Sequence, residues 1–163
     1  HGIARREGAE VAAEALRSVL HFCDDLEALA ARPRCQHGIG HGLVASRFLT
    51  LIHAADLCRE ELPAAGAEAC LGGVFMEYIE GFLGLSEERL DAALPTICAD
   101  LNTNYSERCY FNIGEGLMWF YGHRLNHVYL LCNRFDNLDH AKWCRDGAEI
   151  ELEASRAQGG TCP

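Results

Sequence analysis

The sequence predicts an all-α protein, a short α/α solenoid of four disulfide-stapled helical hairpins. Three observations predict it. Eight of the nine cysteines form four pairs of nearly constant spacing: Cys23/Cys35, Cys58/Cys70 and Cys132/Cys144 are twelve residues apart, and Cys98/Cys109 eleven. The pairs recur every 34 to 40 residues, a period that scattered thiols would not keep and that marks an internal repeat with its own staple. After each second cysteine, apolar residues stand four apart (Ile39/Leu43, Val74/Tyr78, Ile113/Leu117, Ala148/Leu152), which is the stripe of an amphipathic helix.

Each repeat reads as helix A, a short loop and helix B. Helix A is expected over Ala9 to Phe22, Thr50 to Leu62, Asp91 to Leu101 after the capped start Ser86-Glu-Glu-Arg-Leu, and Asn126 to Phe135. Between the paired cysteines lie turn formers: Pro33, Pro63-Ala-Ala-Gly66, Asn102-Thr-Asn104 and Asp136-Asn-Leu-Asp139. Helix B follows, and three residues after its cysteine come Gly38, Gly73, Asn112 and Gly147, which suit a left-handed backbone or a very close helix contact. The chain thus reads as a single domain over 1–163, with repeats at about 7–48, 49–84, 85–123 and 124–158 and a short C-terminal tail. Eight cysteines allow about 105 pairings; the period favours the four local ones.

Composition bounds the function. A chain of 163 residues, 49% hydrophobic, is long enough to bury a core. A formal net charge of −10 argues against nucleic acid as a partner, and no apolar run approaches the length of a membrane span. Residues 1–6 do not form a signal peptide. The cysteine spacing lacks the close C-x-x-C pairs of metal and redox sites, so structural disulfides and an extracytoplasmic location (periplasm, lumen or secreted) are expected. Cys162 is left over, and His1 reads as a remnant rather than a site residue.

On repeat length and staple position, residues 9–157 resemble the disulfide-stapled α/α repeats of the Sel1-like, cysteine-rich secreted type. The resemblance implies an extracytoplasmic scaffold for protein or ligand binding and assigns no functional residue.

Aligning the repeats on their second cysteine shows where they differ. Six residues after it stand His41, Met76, Glu115 and Ile150; seven after it, Gly42, Glu77, Gly116 and Glu151; ten after it, Ala45, Glu80, Trp119 and Ala154. The strongest local motif is His37-Gly-Ile-Gly-His41-Gly, which puts two imidazoles one turn apart on a helix, as in many metal sites. The third repeat keeps the glycines as Gly114-Glu115-Gly116, so Glu115 joins the candidate metal ligands. His53 and His127, each five residues before a first cysteine, complete that set; structural or surface histidines are the alternative reading for all four. Glu77, Glu80 and Trp119 are candidates for ligand binding, although Met118-Trp-Phe-Tyr121 also suits core packing.

No nucleophile elbow, P-loop, dinucleotide fingerprint or His-Glu-x-x-His motif occurs. The leading expectation is a helical-repeat scaffold binding a peptide, protein or small ligand in a groove lined by the B helices. The alternative is a metal-dependent enzyme or metal-binding protein using His37, His41 and Glu115 with a transition metal such as Zn, Cu or Fe.

Overall fold

The computed structural model describes residues 11, 14, 18, 19, 23, 31–47, 49–83 and 86–157. His1, His21, Cys162 and most of the expected helix over Ala9 to Phe22 lie outside them, while Val11, Glu14, Ser18, Val19 and Cys23 are helical. The described residues form seven α-helices and no strand: α1 (Ala31–Ala45), α2 (Leu51–Glu61), α3 (Ala64–Leu83), α4 (Glu87–Ala93), α5 (Thr103–Phe120), α6 (Leu125–Cys132) and α7 (Leu138–Ala157), with a 3-10 turn at Leu94–Thr96. None is long and apolar enough to cross a membrane. All four local disulfides are present: Cys23–Cys35, Cys58–Cys70, Cys98–Cys109 and Cys132–Cys144. The chain divides into two compact units, His1–Tyr78 and Ile79–Pro163, and α3 runs without a break through the boundary.

In the first unit, α1 begins before Pro33 rather than after it, so Pro33 is not part of a loop. It sits in the first helical turn, where the N–H that proline lacks has no helical partner in any case. Helix α2 starts where expected, with Thr50 extended at the cap and its hydroxyl accepting the His53 N–H at 3.3 Å. Ala54, Ala55 and Leu57 of α2 are buried with Leu71, Val74 and Phe75 of α3. Helices α1 and α3 cross backbone to backbone. A Cβ on Gly40 would lie 2.0 Å from the Cys70 carbonyl oxygen, and one on Gly73 would lie 1.9 Å from that of His37. No residue with a side chain permits such an approach.

The second unit repeats that crossing between α5 and α7. A Cβ on Gly114 would meet the Cys144 oxygen at 1.9 Å, and one on Gly147 the Phe111 oxygen at 2.0 Å. Gly40 and Gly114 both stand five residues after their cysteine, and Gly73 and Gly147 both stand three after theirs. The geometry therefore repeats every two hairpins: first matches third, second matches fourth.

The expected helix over Asp91 to Leu101 is not continuous. Pro95 cannot bond the Asp91 carbonyl, so α4 ends at Ala93 and a 3-10 turn follows. Arg134 takes over there, its guanidinium bonding the Asp91 carboxylate at 3.0 Å and reaching its carbonyl at 3.5 Å. The turn formers Asn102 and Asn137 act as expected, each just before a helix; the Asn137 Oδ1 accepts the N–H of Asp139 at 2.8 Å. Helix α5 ends in a left-handed pair, Gly122 (φ 60°) and His123 (φ 58°), and the His123 N–H donates to the Met118 carbonyl at 2.7 Å. Leu90, Leu94, Ile113, Leu117, Met118 and Val128 fill this core. Trp119, in contrast, points out and is 64% exposed, although Met118 and Tyr121 beside it are buried.

The glycine-rich motif thus splits by role. Gly40 is a packing contact, whereas Gly38 and Gly42 are exposed and a Cβ on either would meet nothing within 4 Å. Gly38→Ala is expected to raise stability by about 1 kcal/mol, since it removes backbone freedom from the unfolded chain without a clash. A shift of the urea midpoint to higher concentration at unchanged slope is the check.

Candidate metal centre

Helix geometry puts His37 and His41 on one face of α1, and the Gly40/Gly73 crossing brings the row Ala69–Gly73–Glu77 of α3 alongside them. The two helices meet through four polar atoms. His37 Nδ1 lies 3.2 Å from the Ala69 carbonyl oxygen, and His41 Nδ1 lies 2.9 Å from Glu77 Oε2. The Nε2 atoms of the two rings face each other at 3.2 Å, with ring centroids 4.9 Å apart and planes at 67°. The pair is half-buried, His41 and Glu77 keeping 27% and 29% of their side-chain surface.

Those contacts assign the protons. A carbonyl oxygen only accepts, so His37 Nδ1 carries hydrogen and donates to Ala69; an ionised Glu77 likewise accepts from His41 Nδ1–H. In the uncharged form, a ring with its hydrogen on Nδ1 presents an Nε2 lone pair to the other. Two lone pairs at 3.2 Å repel unless a cation stands at both, either a proton or a metal ion. Tetrahedral zinc with Zn–N bonds of 2.0–2.1 Å holds its nitrogens about 3.3 Å apart. A carboxylate and a carbonyl behind the ligating imidazoles are also the usual outer partners of metal-bound histidine. One turn beyond Glu77 on the same helix, Glu80 is exposed.

The other expected site residues have different surroundings. Glu115 belongs to the second unit, where burial, only partly offset by Arg108 and reinforced by Glu151, pushes its carboxyl up to about 7. His53 is an exposed cap residue of α2, its Nδ1 3.0 Å from the Thr50 hydroxyl. His127 packs its ring on Tyr121 at 4.4 Å between centroids. Trp119 meets the His123 ring edge to face at 5.3 Å.

Two participants were not legible beforehand. One is the Ala69 carbonyl, which no side-chain pattern reveals. The other is the His123–Glu151 pair, 3.3 Å apart and only 11% and 13% exposed, because it depends on the left-handed turn that folds His123 back toward α7. A usable signal did exist: the glycine sits five after the cysteine in odd repeats and three after it in even ones. That offset sets the sixth position of one B helix against the seventh of the next, where His41 bonds Glu77; at the corresponding place in the second unit Glu151 bonds His123 instead. No protein-family model matches the chain, and no curated protein or solved structure matches it either.

Proposed function

We propose that this protein is an extracytoplasmic, disulfide-stapled α/α-repeat protein that binds a transition metal ion, zinc in the first instance, through His37 and His41. The observation that carries the reading is the 3.2 Å approach of the two Nε2 atoms while both Nδ1 atoms are held by acceptors. Glu77 orients His41 through their hydrogen bond. Two imidazoles alone leave coordination positions open, which fits exchangeable or reactive metal better than a closed structural site. The four disulfides favour an oxidising compartment and keep the fold independent of the metal. In this reading the four hairpins stack as a short solenoid, which serves as the scaffold carrying the site. Metal binding is preferred over an extended ligand groove because the histidine pair is a specific arrangement.

Untagged protein, stripped with chelator and titrated with Zn2+ near pH 7.5, is expected to take up one ion per chain. His37→Ala and His41→Ala should each abolish stoichiometric uptake while leaving the helical circular dichroism intact. Glu77→Gln, which keeps both histidines, should weaken binding by about 10- to 100-fold. Absence of uptake by the wild-type chain, or full uptake by the His37→Ala/His41→Ala variant, would refute the assignment.

A further inference from the structure

The histidine pair is built by a backbone contact as much as by its own spacing, and we infer that Gly73 is the positioning residue that sets the separation of the two metal ligands. The inference rests on the metal-binding reading above. Gly73 stands midway between the two groups that hold the rings: Ala69, whose carbonyl accepts from His37, is four residues before it, and Glu77, which accepts from His41, is four after. A Cβ on Gly73 would lie 1.9 Å from the His37 carbonyl oxygen and 3.0 Å from the His41 amide nitrogen. The missing side chain therefore lets α3 lie directly on the His37–His41 turn. Any residue larger than glycine drives the helices apart there and carries Ala69 and Glu77 away from both imidazoles at once. Gly40, on the facing helix, makes the reciprocal contact with the Cys70 carbonyl and leaves the ring-holding row to Gly73.

The second unit provides an internal comparison. Its row Trp143–Gly147–Glu151 corresponds to Ala69–Gly73–Glu77, and Gly147 is pressed on the Phe111 carbonyl at 2.0 Å as Gly73 is on that of His37. Phe111 and Glu115 occupy the places of His37 and His41. The crossing is present there, and Glu151 stands at the register position of Glu77, with its carboxylate bonded to His123 at 3.3 Å and no imidazole at the places of His37 and His41. If the crossing sets the ligand separation, this unit holds a latent site that two histidines would complete.

Co2+ is the probe, because its visible absorption reports coordination geometry as well as occupancy. In the wild-type chain one Co2+ is expected per molecule. Gly73→Ala should weaken Co2+ at least tenfold and change the intensity of its visible bands, whereas Gly147→Ala, with the same packing defect elsewhere, should leave affinity and spectrum unchanged. The double variant Phe111→His/Glu115→His should raise the stoichiometry from one to two. A folded Gly73→Ala protein that binds Co2+ with wild-type affinity and spectrum would overturn the inference. So would a folded Phe111→His/Glu115→His protein that still binds only one ion, and this second arm decides the matter if Gly73→Ala does not fold. Failure of the metal reading itself looks different: the wild-type chain then binds no Co2+ at all.

Discussion

Reducing all four disulfides is expected to unfold the protein. Each staple closes a short loop, with sequence separations of 12, 12, 11 and 12 residues, and is worth about 3 kcal/mol in the chain-entropy account. Four of them sum to roughly 12 kcal/mol, as large as the whole net stability of an ordinary domain, about 5–15 kcal/mol. The helices give little in compensation when isolated: α4 has 7 residues and α6 has 8, well below the length at which a helix holds itself in water. Seven of the eight paired cysteines are essentially sealed from solvent, including Cys58, Cys70, Cys132 and Cys144 at 0% exposure. Reductant alone should therefore act slowly, through local opening, and reduction in denaturant followed by dilution should leave a chain with most of its helical ellipticity gone. A single-staple deletion, Cys132→Ala/Cys144→Ala, should lower stability by about 3 kcal/mol in urea melts. Reduced protein that regains the oxidised far-ultraviolet spectrum would show that packing alone carries the fold.

The staples also explain what was readable in advance. Cysteine spacing is a local quantity, and so are stripes such as Ile113/Leu117: the four local pairings are present and that stripe is buried, whereas the capped start expected at Ser86 lacks a side-chain cap hydrogen bond. Proline is ambiguous at this level: Pro33 suits an early helical position as well as a loop, and Pro95, which cannot bond the Asp91 carbonyl, interrupts the helix expected over Asp91 to Leu101. The candidate site was legible only in half. His37 and His41 share one helix, so the motif announced them, but their partners come from another helix and depend on how the two cross. The crossing is governed by Gly40 and Gly73, whose absent side chains specify a distance that hydrophobic patterning does not contain.

The same consideration accounts for Glu115. Column-by-column alignment places it with His41, but where His41 bonds Glu77 at 2.9 Å, Glu115 feels Glu151 only through its charge, because that carboxylate is bonded to His123. What differs is the consequence. An imidazole beside a carboxylate gains a hydrogen bond, whereas the Glu115 carboxyl is raised first of all by burial, with Arg108 opposing the shift and Glu151 adding to it. The duplicated crossing thus carries an imidazole hydrogen-bonded to a carboxylate in the first unit and, in the second, a carboxyl whose pKa burial pushes up to about 7.

That upward shift makes stability pH-dependent, and the direction follows from linkage. Glu115 titrates near 4.5 when unfolded and is pushed up to about 7 in the folded chain, chiefly by burial, with Arg108 opposing the shift and Glu151 adding to it. Below pH 4.5 the group is protonated in both states and imposes no penalty. Between pH 4.5 and about 7 the folded chain holds a proton that the unfolded chain has lost, so its contribution to stability declines as pH rises. Above about 7 it is ionised in both states, and the full loss, on the order of 3 kcal/mol, has been incurred. Glu115→Gln keeps the shape and removes the ionisation. The difference in unfolding free energy between Glu115→Gln and wild type, taken from urea melts at pH 5, 6, 7 and 8, should therefore widen in favour of the variant up to about pH 7 and then level off. Subtracting the two proteins cancels the histidines and surface carboxylates that both share. A difference that stays flat across this range would mean that the carboxylate is as well accommodated in the folded chain as in water, either by Arg108 or by solvent reaching it, and that burial does not govern this position.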